Sequence, residues 1–210
     1  DVKVTQGEIS ITCDTLSAHY NNAENLSDIS TLEAIGNVTI ISSPYKANGD
    51  KAIYDVITGR ATLTGRNLKV SGANEVLTAR DRIEFLNDKK LVIAYGRPSI
   101  KQNTDNITAD RMEAHLKEDK NGKMASDKMI AKGNVVIETK SELITGAELV
   151  FNSQTRQAIM SGNVTIKRGD DFLKGEKAMV DMNSGISQLL GNETSTNGSG
   201  RVRGVFFPKR

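Results

Sequence analysis

The chain has 210 residues, of which 37% are hydrophobic and 26% charged; it has no tryptophan and only 4% aromatic residues, so any core it builds is aliphatic. Its formal net charge is +2, and Arg201, Arg203, Lys209 and Arg210 contribute +4 with no acid in the last ten residues, which leaves −2 for residues 1–200. That balance excludes a nucleic-acid-binding surface on the body of the chain, the single Cys13 excludes an intrachain disulfide or a cysteine-rich metal site, and no apolar run approaches the ~18–20 residues of a membrane-spanning helix.

Two anchors alternate along the chain: an acid followed by alternating apolar residues, and a glycine that opens a second alternating run. The first unit starts at Asp14 (then Leu16, Ala18), passes an insertion over Asn21–Thr31, and reaches Gly36-Asn-Val-Thr-Ile. The second runs from Asp50 (Ala52, Tyr54) to Gly65-Arg-Asn-Leu-Lys-Val, and the third from Asp81 (Ile83, Phe85) to Gly96-Arg-Pro-Ser-Ile. The fourth starts at Asp110 (Met112, Ala114). It carries an insertion over His115–Lys128, with Lys120-Asn121-Gly122-Lys123 as a hairpin tip, and reaches Gly133-Asn-Val-Val-Ile. The fifth has Ala147 in the acid position (Leu149, Phe151) and leads to Gly162-Asn-Val-Thr-Ile; the sixth runs from Glu176 (Ala178, Val180) to a degraded Gly191-Asn-Glu-Thr. Anchor to glycine is 15 residues in four units, 22 in the first and 23 in the fourth. The long-short-short order occurs twice, so residues 10–103 and 106–198 read as tandem copies of one block.

Within a unit the period is two. Ala158, Met160, Gly162, Val164 and Ile166 alternate with mostly polar residues, as do Leu32 to Ile40 and Met129 to Ile137. This is the pattern of strands buried on one face. Thr58-Gly59, Asn87-Asp88 and Asn183-Ser184-Gly185 mark turns between strands. A glycine inside a strand predicts a bulge or bend, and the recurring acids are expected at strand ends or turns, accepting backbone hydrogen bonds. The fold class is therefore all-β: stacked strand pairs making two long sheets with aliphatic inward faces. If the sheets part along one edge, the inner faces form an apolar trough. Its candidate lining is Val38, Ile40, Ile83, Phe85, Val135, Ile137, Leu149, Phe151, Val164 and Ile166, residues that would equally suit a dry core.

The recurring acid, the alternating apolar residues and Gly-Asn-Val-x-Ile resemble, over residues 8–198, the OstA-like repeats of the LptA family, the lipopolysaccharide-transport bridge. Arg201-Val-Arg-Gly-Val-Phe-Phe-Pro also resembles the tails of family members. The resemblance implies an elongated open β-jellyroll over residues 1–198, followed by a basic tail at 199–210. It implies lipid A acyl chains held between the sheets, inner-membrane LptC-like and outer-membrane LptD-like partners, head-to-tail self-association and a periplasmic location. It implies no enzymatic activity and no cofactor. The start at Asp1, without methionine or an apolar leader, is read as a signal peptide already removed. LptC-like and N-terminal LptD-like domains share the repeat. The former carry a membrane helix and the latter a barrel, and this sequence has neither.

Other chemistry is weakly supported. The acids lie about 30 residues apart, without the dense Gly-Asp spacing of calcium-binding repeats. His19 and His115 each lie five residues after an anchor acid with no third ligand nearby, so no metal site is expected. No Gly-x-Ser-x-Gly elbow and no phosphate loop occurs, and no carboxylate pair suggests a glycosidase. The alternatives are a structural or adhesive β-repeat with a closed core, or the periplasmic domain of a related transport component.

Overall fold

Period-two alternation puts one face of each segment in the core. In the computed structural model, which describes residues 1–21, 29–118, 124–190 and 203–205, these segments are all strands, with no helix among the described residues. In chain order they are β1 (Val2–Gln6), β2 (Ile9–Cys13), β3 (Thr15–Tyr20), β4 (Ile29–Ser42), β5 (Tyr45–Asp55), β6 (Arg60–Thr64), β7 (Leu68–Ser71), β8 (Glu75–Ala79), β9 (Arg82–Leu86) and β10 (Leu91–Tyr95). They continue as β11 (Ser99–Gln102), β12 (Asp105–Thr108), β13 (Arg111–Glu118), β14 (Met124–Glu138), β15 (Leu143–Asn152), β16 (Gln157–Arg168), β17 (Asp171–Asp181), β18 (Ile186–Leu190) and β19 (Arg203–Val205). The hairpin tip expected at Lys120–Lys123, residues 22–28 of the first insertion, the sixth glycine Gly191 and the rest of the basic tail lie outside the described residues.

All pairings are antiparallel, and the chain runs as one meander of long strands. β2 and β3 are two halves of a single long strand, since both pair with β4 on either side of Asp14. β6 and β7 relate to β5 in the same way, and β12 and β13 to β14. The half-strands β8, β9, β10 and β11 pair as two matching ladders, β8 with β11 and β9 with β10. β18 and β19 close the series against the two halves of β17.

Each long strand bends at its anchor. On β4, Gly36 and Asn37 stand opposite the single residue Asp50; on β14, Gly133 and Asn134 oppose Ala147; on β16, Gly162 and Asn163 oppose Glu176. Two residues against one make a β-bulge, which bends and twists its strand. Gly133 has φ +77° and Asn134 φ +45°, and a Cβ on Gly133 would overlap the Asp110 carboxylate of the preceding strand. Glycine is therefore required on two counts, backbone hand and space. Asn134 Nδ2 in turn donates to Asp110 Oδ2 at 2.8 Å, and Asn37 Nδ2 to Asp14 Oδ2 at 2.9 Å. In the second unit the Arg66 backbone N–H donates to Asp50 Oδ2 at 2.9 Å. The recurring acids thus sit at the bends, Asp14, Asp81 and Asp110 at strand ends as expected and Asp50 within β5, because only there can they meet the glycine of the next strand.

The bends line up as a crease, and the sheet folds over along it into two layers. One layer, called upper here, contains β1, β2, β7, β8, β11, β12, β19 and the matching halves of β4, β5 and β14–β17. The lower layer contains β3, β6, β9, β10, β13, β18 and the other halves. The expected open jellyroll is present, but each long strand serves both layers, instead of strand pairs stacking into separate sheets. The expected turns at Thr58-Gly59, Asn87-Asp88 and Asn183-Ser184-Gly185 close lower-layer tips, and a further one follows Asn152. Asp55 Oδ1 accepts from the Thr58 N–H, Asn152 Oδ1 from the Gln154 N–H and Asp181 Oδ1 from the Asn183 N–H. These bonds, the Thr58 and Ser184 backbone N–H groups first, hold the Asp55 and Asp181 carboxyls below the usual carboxylate range. Each cap lies five residues after an anchor. His19 and His115 hold that same offset in the two long units, where the insertions take the place of a tight turn. His19 lies 3.7 Å from Glu33.

Between the layers lie two aliphatic clusters. One contains Cys13, Ala34, Val38, Ala52, Leu63, Leu68, Ile83 and Ala94; the other runs from Ile107 through Met129, Ile137, Ile144, Leu149, Met160 and Ile166 to Val180. Leu77 packs against both.

The crease yields a stability test. Gly133→Ala is expected to destabilise the protein by about 1–3 kcal/mol, the cost of strained backbone plus overlap. Gly169→Ala, also at positive φ but with open space around its Cβ, is expected to cost only about 1–2 kcal/mol. Denaturant unfolding of the two variants compares the costs, and the larger loss belongs to Gly133.

Candidate functional site

Counted outward from the crease, inward-facing residues form rows. The first row, two residues from the anchor on most strands, is buried along nearly the whole length: Val38, Ala52, Ile83, Ala94, Met112, Val135, Leu149, Met160, Val164 and Ala178. The second row divides. In the first half of the chain Ile11, Leu32, Ile40, Tyr54, Ala61, Val70, Phe85 and Val92 are only partly buried. In the second half Met129, Ile137, Ile144, Ala158, Ile166 and Val180 are buried, while Ala114, Phe151, Leu173 and Leu189 are partly buried. Val4 and Ile9, further toward the tip of the first upper strands, are 42% and 48% exposed.

The ten candidate groove residues all face inward. Val38, Ile83, Val135, Leu149 and Val164 lie in the first row and are buried; Ile137 and Ile166 are buried in the second row; Ile40, Phe85 and Phe151 are partly exposed toward the mouth. The sequence reading omitted Leu32, Tyr54, Ala61, Val70 and Val92, which share that partly exposed inner face. Their signal was present, since each lies four or five residues from an anchor and inward by parity.

Opposite the crease the two layers form a mouth, crossed by polar contacts. Glu142, in the turn between β14 and β15 of the upper layer, has a side chain only 2% exposed. It pairs with Arg168 at the end of β16, whose Nε lies 3.0 Å away, and accepts from Ser187 Oγ on β18 of the lower layer at 2.6 Å. A carboxylate this buried persists only when paired and hydrogen-bonded. Arg156 Nη2 donates to Gln102 Oε1 at 3.4 Å, again from lower to upper layer. The Ser126 backbone of β14 hydrogen-bonds the Tyr45 hydroxyl of β5. Glu142, Arg168 and Ser187 occupy inward register positions next to Ile144, Ile166 and Leu189, so their hint in the sequence was a polar residue where alternation calls for an apolar one.

Burial pushes both Tyr45 and its neighbour Glu75 above their usual pKa values, and the Glu75 charge adds to the effect on Tyr45. On the outer face of the lower layer, the Arg82 guanidinium lies 3.8 Å from the Tyr95 ring centroid and pairs with Glu84 at 2.7 Å, while Arg111 pairs with Glu113 at 2.8 Å. These pairs lie outside the apolar interior, and Arg111 Nε is buried there without a hydrogen-bond partner. Among the described residues no group of three or more metal-ligating side chains converges. What the interior offers is apolar area without directional chemistry, suited to flexible hydrocarbon.

A model of the family described as LptA/(LptD N-terminal domain) LPS transport protein matches residues 1–85, 78–186 and 143–200. The chain belongs to this family. Its members are transport proteins, and this chain is one of them rather than an enzyme. Among solved structures it is similar to LptH from Pseudomonas aeruginosa, described as the LptA homologous periplasmic component of the conserved lipopolysaccharide transport device. The TM-score is 0.52 at 18% identity, over 64% of this chain and 95% of that one. At that identity the likeness is one of fold. A search of curated protein sequences finds no match. Among the described residues no helix is long and apolar enough to cross a membrane.

The Glu75 environment predicts a pH dependence. Its folded-state pKa is raised, so the folded protein is favoured while the carboxyl is protonated, below its ordinary value of 4.5, and loses that favour as pH rises through the raised value. Glu75→Gln is therefore expected to raise Tm at pH 7, with the gain shrinking toward zero by pH 4. Thermal unfolding at the two pH values checks the sign.

Proposed function

We propose that this chain is a periplasmic carrier of lipopolysaccharide, one segment of a protein bridge between inner and outer membranes, with lipid A acyl chains held between its layers. The observation that carries this reading is a continuous aliphatic inner face left half-exposed along the first half of the sheet, in a chain of the lipopolysaccharide-transport family. Each methylene taken from water contributes roughly 0.8 kcal/mol, so several acyl chains bind firmly without specific polar partners. The sugars and phosphates remain outside the mouth.

The bridge part of the proposal rests on edges. Among the described residues β1 and β3 pair on one side only at the start of the meander, and β18 and β19 do so at its end. Free edges accept strands of another chain. A start-to-end contact is heterologous and can propagate, either to further copies or to LptC-like and LptD-like partners. The periplasmic location is supported by the described location of LptH. The family description also covers LptD N-terminal domains, so the same groove on a receiving component is the second reading.

A photo-crosslinking residue at inward Phe85, exposed to lipopolysaccharide, is expected to form a lipid adduct. The same residue at outward Thr62 or Thr78 is not. Equal labelling at inward and outward positions, or none at Phe85, would sink the carrier reading.

A further inference from the structure

We infer that the two halves of the interior have different tasks: acyl chains lie over the half before Asp110, while the half after it is a core held shut across the mouth by Glu142, Arg168 and Ser187. This rests on the carrier reading and adds where in the interior the lipid sits.

The same residue at the same register position makes the contrast. Ile40, Ile137 and Ile166 each lie four residues after an anchor glycine, yet Ile40 is partly exposed while Ile137 and Ile166 are 0% and 4% exposed. Side-chain type and alternation are identical, so the local pattern does not set the difference; on the lower layer Leu32, Ala61 and Val92, four residues before an anchor glycine, are likewise partly exposed, while Met129 and Ala158 at that offset are 5% and 0% exposed. The three polar contacts across the mouth show the crossing. Tyr45, Gln102 and Glu142 of the upper layer land on Ser126 of β14, Arg156 of the β15–β16 turn and Ser187 of β18, all in the lower layer after Asp110. The upper layer is thereby displaced along the meander toward the C-terminal end of the lower one, and the second row of the earlier lower-layer strands is left partly uncovered.

The boundary between the halves is narrow. Leu77 and Ile100 of the upper layer and Val92, Met112, Ala114 and Met129 of the lower one enclose a crevice of about 10 Å³. A space of that size holds no more than one water, so hydrocarbon goes no deeper unless the layers part. The uncovered face before it spans six lower-layer strands, roughly 24 Å at ~4.8 Å per strand. It is continuous with the core faces that elsewhere bury each other, and it is aliphatic apart from Tyr54 and Phe85. Its geometry fits several acyl chains side by side, with the sugar-bearing end at the mouth.

The experiment places a diazirine analogue of leucine singly at Leu32, Val92, Leu149 or Ile166 in the full chain and exposes each variant to lipopolysaccharide. Lipid adducts at Leu32 and Val92 are expected at roughly tenfold the level at Leu149 and Ile166, whose neighbours already fill their contact shells. Equal labelling in the two halves, or labelling chiefly at Leu149 and Ile166, overturns the inference while leaving the carrier reading intact. Absence of lipid adducts at all four positions removes both. Crosslinks from Leu32 or Val92 to a second copy of the chain instead of to lipid would also overturn it. The clasp has its own arm. In Ser187→Ala, and separately in Glu142→Gln, labelling at Ile166 is expected to rise severalfold. Circular dichroism and thermal unfolding identify which variant stays folded, and unchanged labelling in a folded variant overturns the closing role of the clasp.

Discussion

Everything in this molecule depends on the close approach of a glycine to the anchor of the strand before it. At Gly36 and Gly133 the backbone turns into the left-handed region and the missing Cβ makes room for the carboxylates of Asp14 and Asp110. The extra residue of each bulge bends its strand, and repetition of the bend strand after strand produces a crease. Without it the same alternation would build a flat sheet with one large apolar face exposed to water. The fifth unit shows which part of the contact matters. There Gly162 faces the methyl of Ala147, so the bend survives without a carboxylate so long as the opposing side chain is short.

A fold made by creasing has consequences for its interior. The first row beside the crease is near its counterpart in the other layer and is buried along nearly its whole length, with Leu16 at the start only partly so. Rows further out depend on the angle at which the layers cross, and here that angle closes one half and opens the other. The tips are where polar groups can face inward at little cost, being close to water, and they hold the contacts that keep the mouth in place. Burial of Glu142 is the exception, and its pairing with Arg168 and Ser187 is the compensation that such burial requires.

Much of this was legible before the structure. The units, the turns at Thr58-Gly59, Asn87-Asp88 and Asn183-Ser184-Gly185, and the inward parity of all ten groove candidates follow from spacing alone. The acids at strand ends were legible too: Asp14, Asp81 and Asp110 fall between strands and Asp50 accepts the Arg66 backbone N–H. Their meeting with the glycine of the next unit was not, because that glycine is 15 or more residues away in sequence. The equivalence of His19 and His115 was visible but had no explanation until the capping of the neighbouring turns by Asp55, Asn152 and Asp181 showed what that offset does elsewhere.

The sequence by itself determined that the chain is all strand, that its faces divide into apolar and polar, and that a bend recurs at each glycine. These are local properties, settled by the two-residue period and by the steric needs of one backbone position. Tertiary structure alone decided which inward residues are sealed and which remain open to a ligand. Ala61 and Ala158 have the same chemistry and the same place in their units, yet one is partly exposed and the other sealed, so no reading of either unit separates them. The separation comes from where the opposite layer crosses, which is a property of all the bends summed.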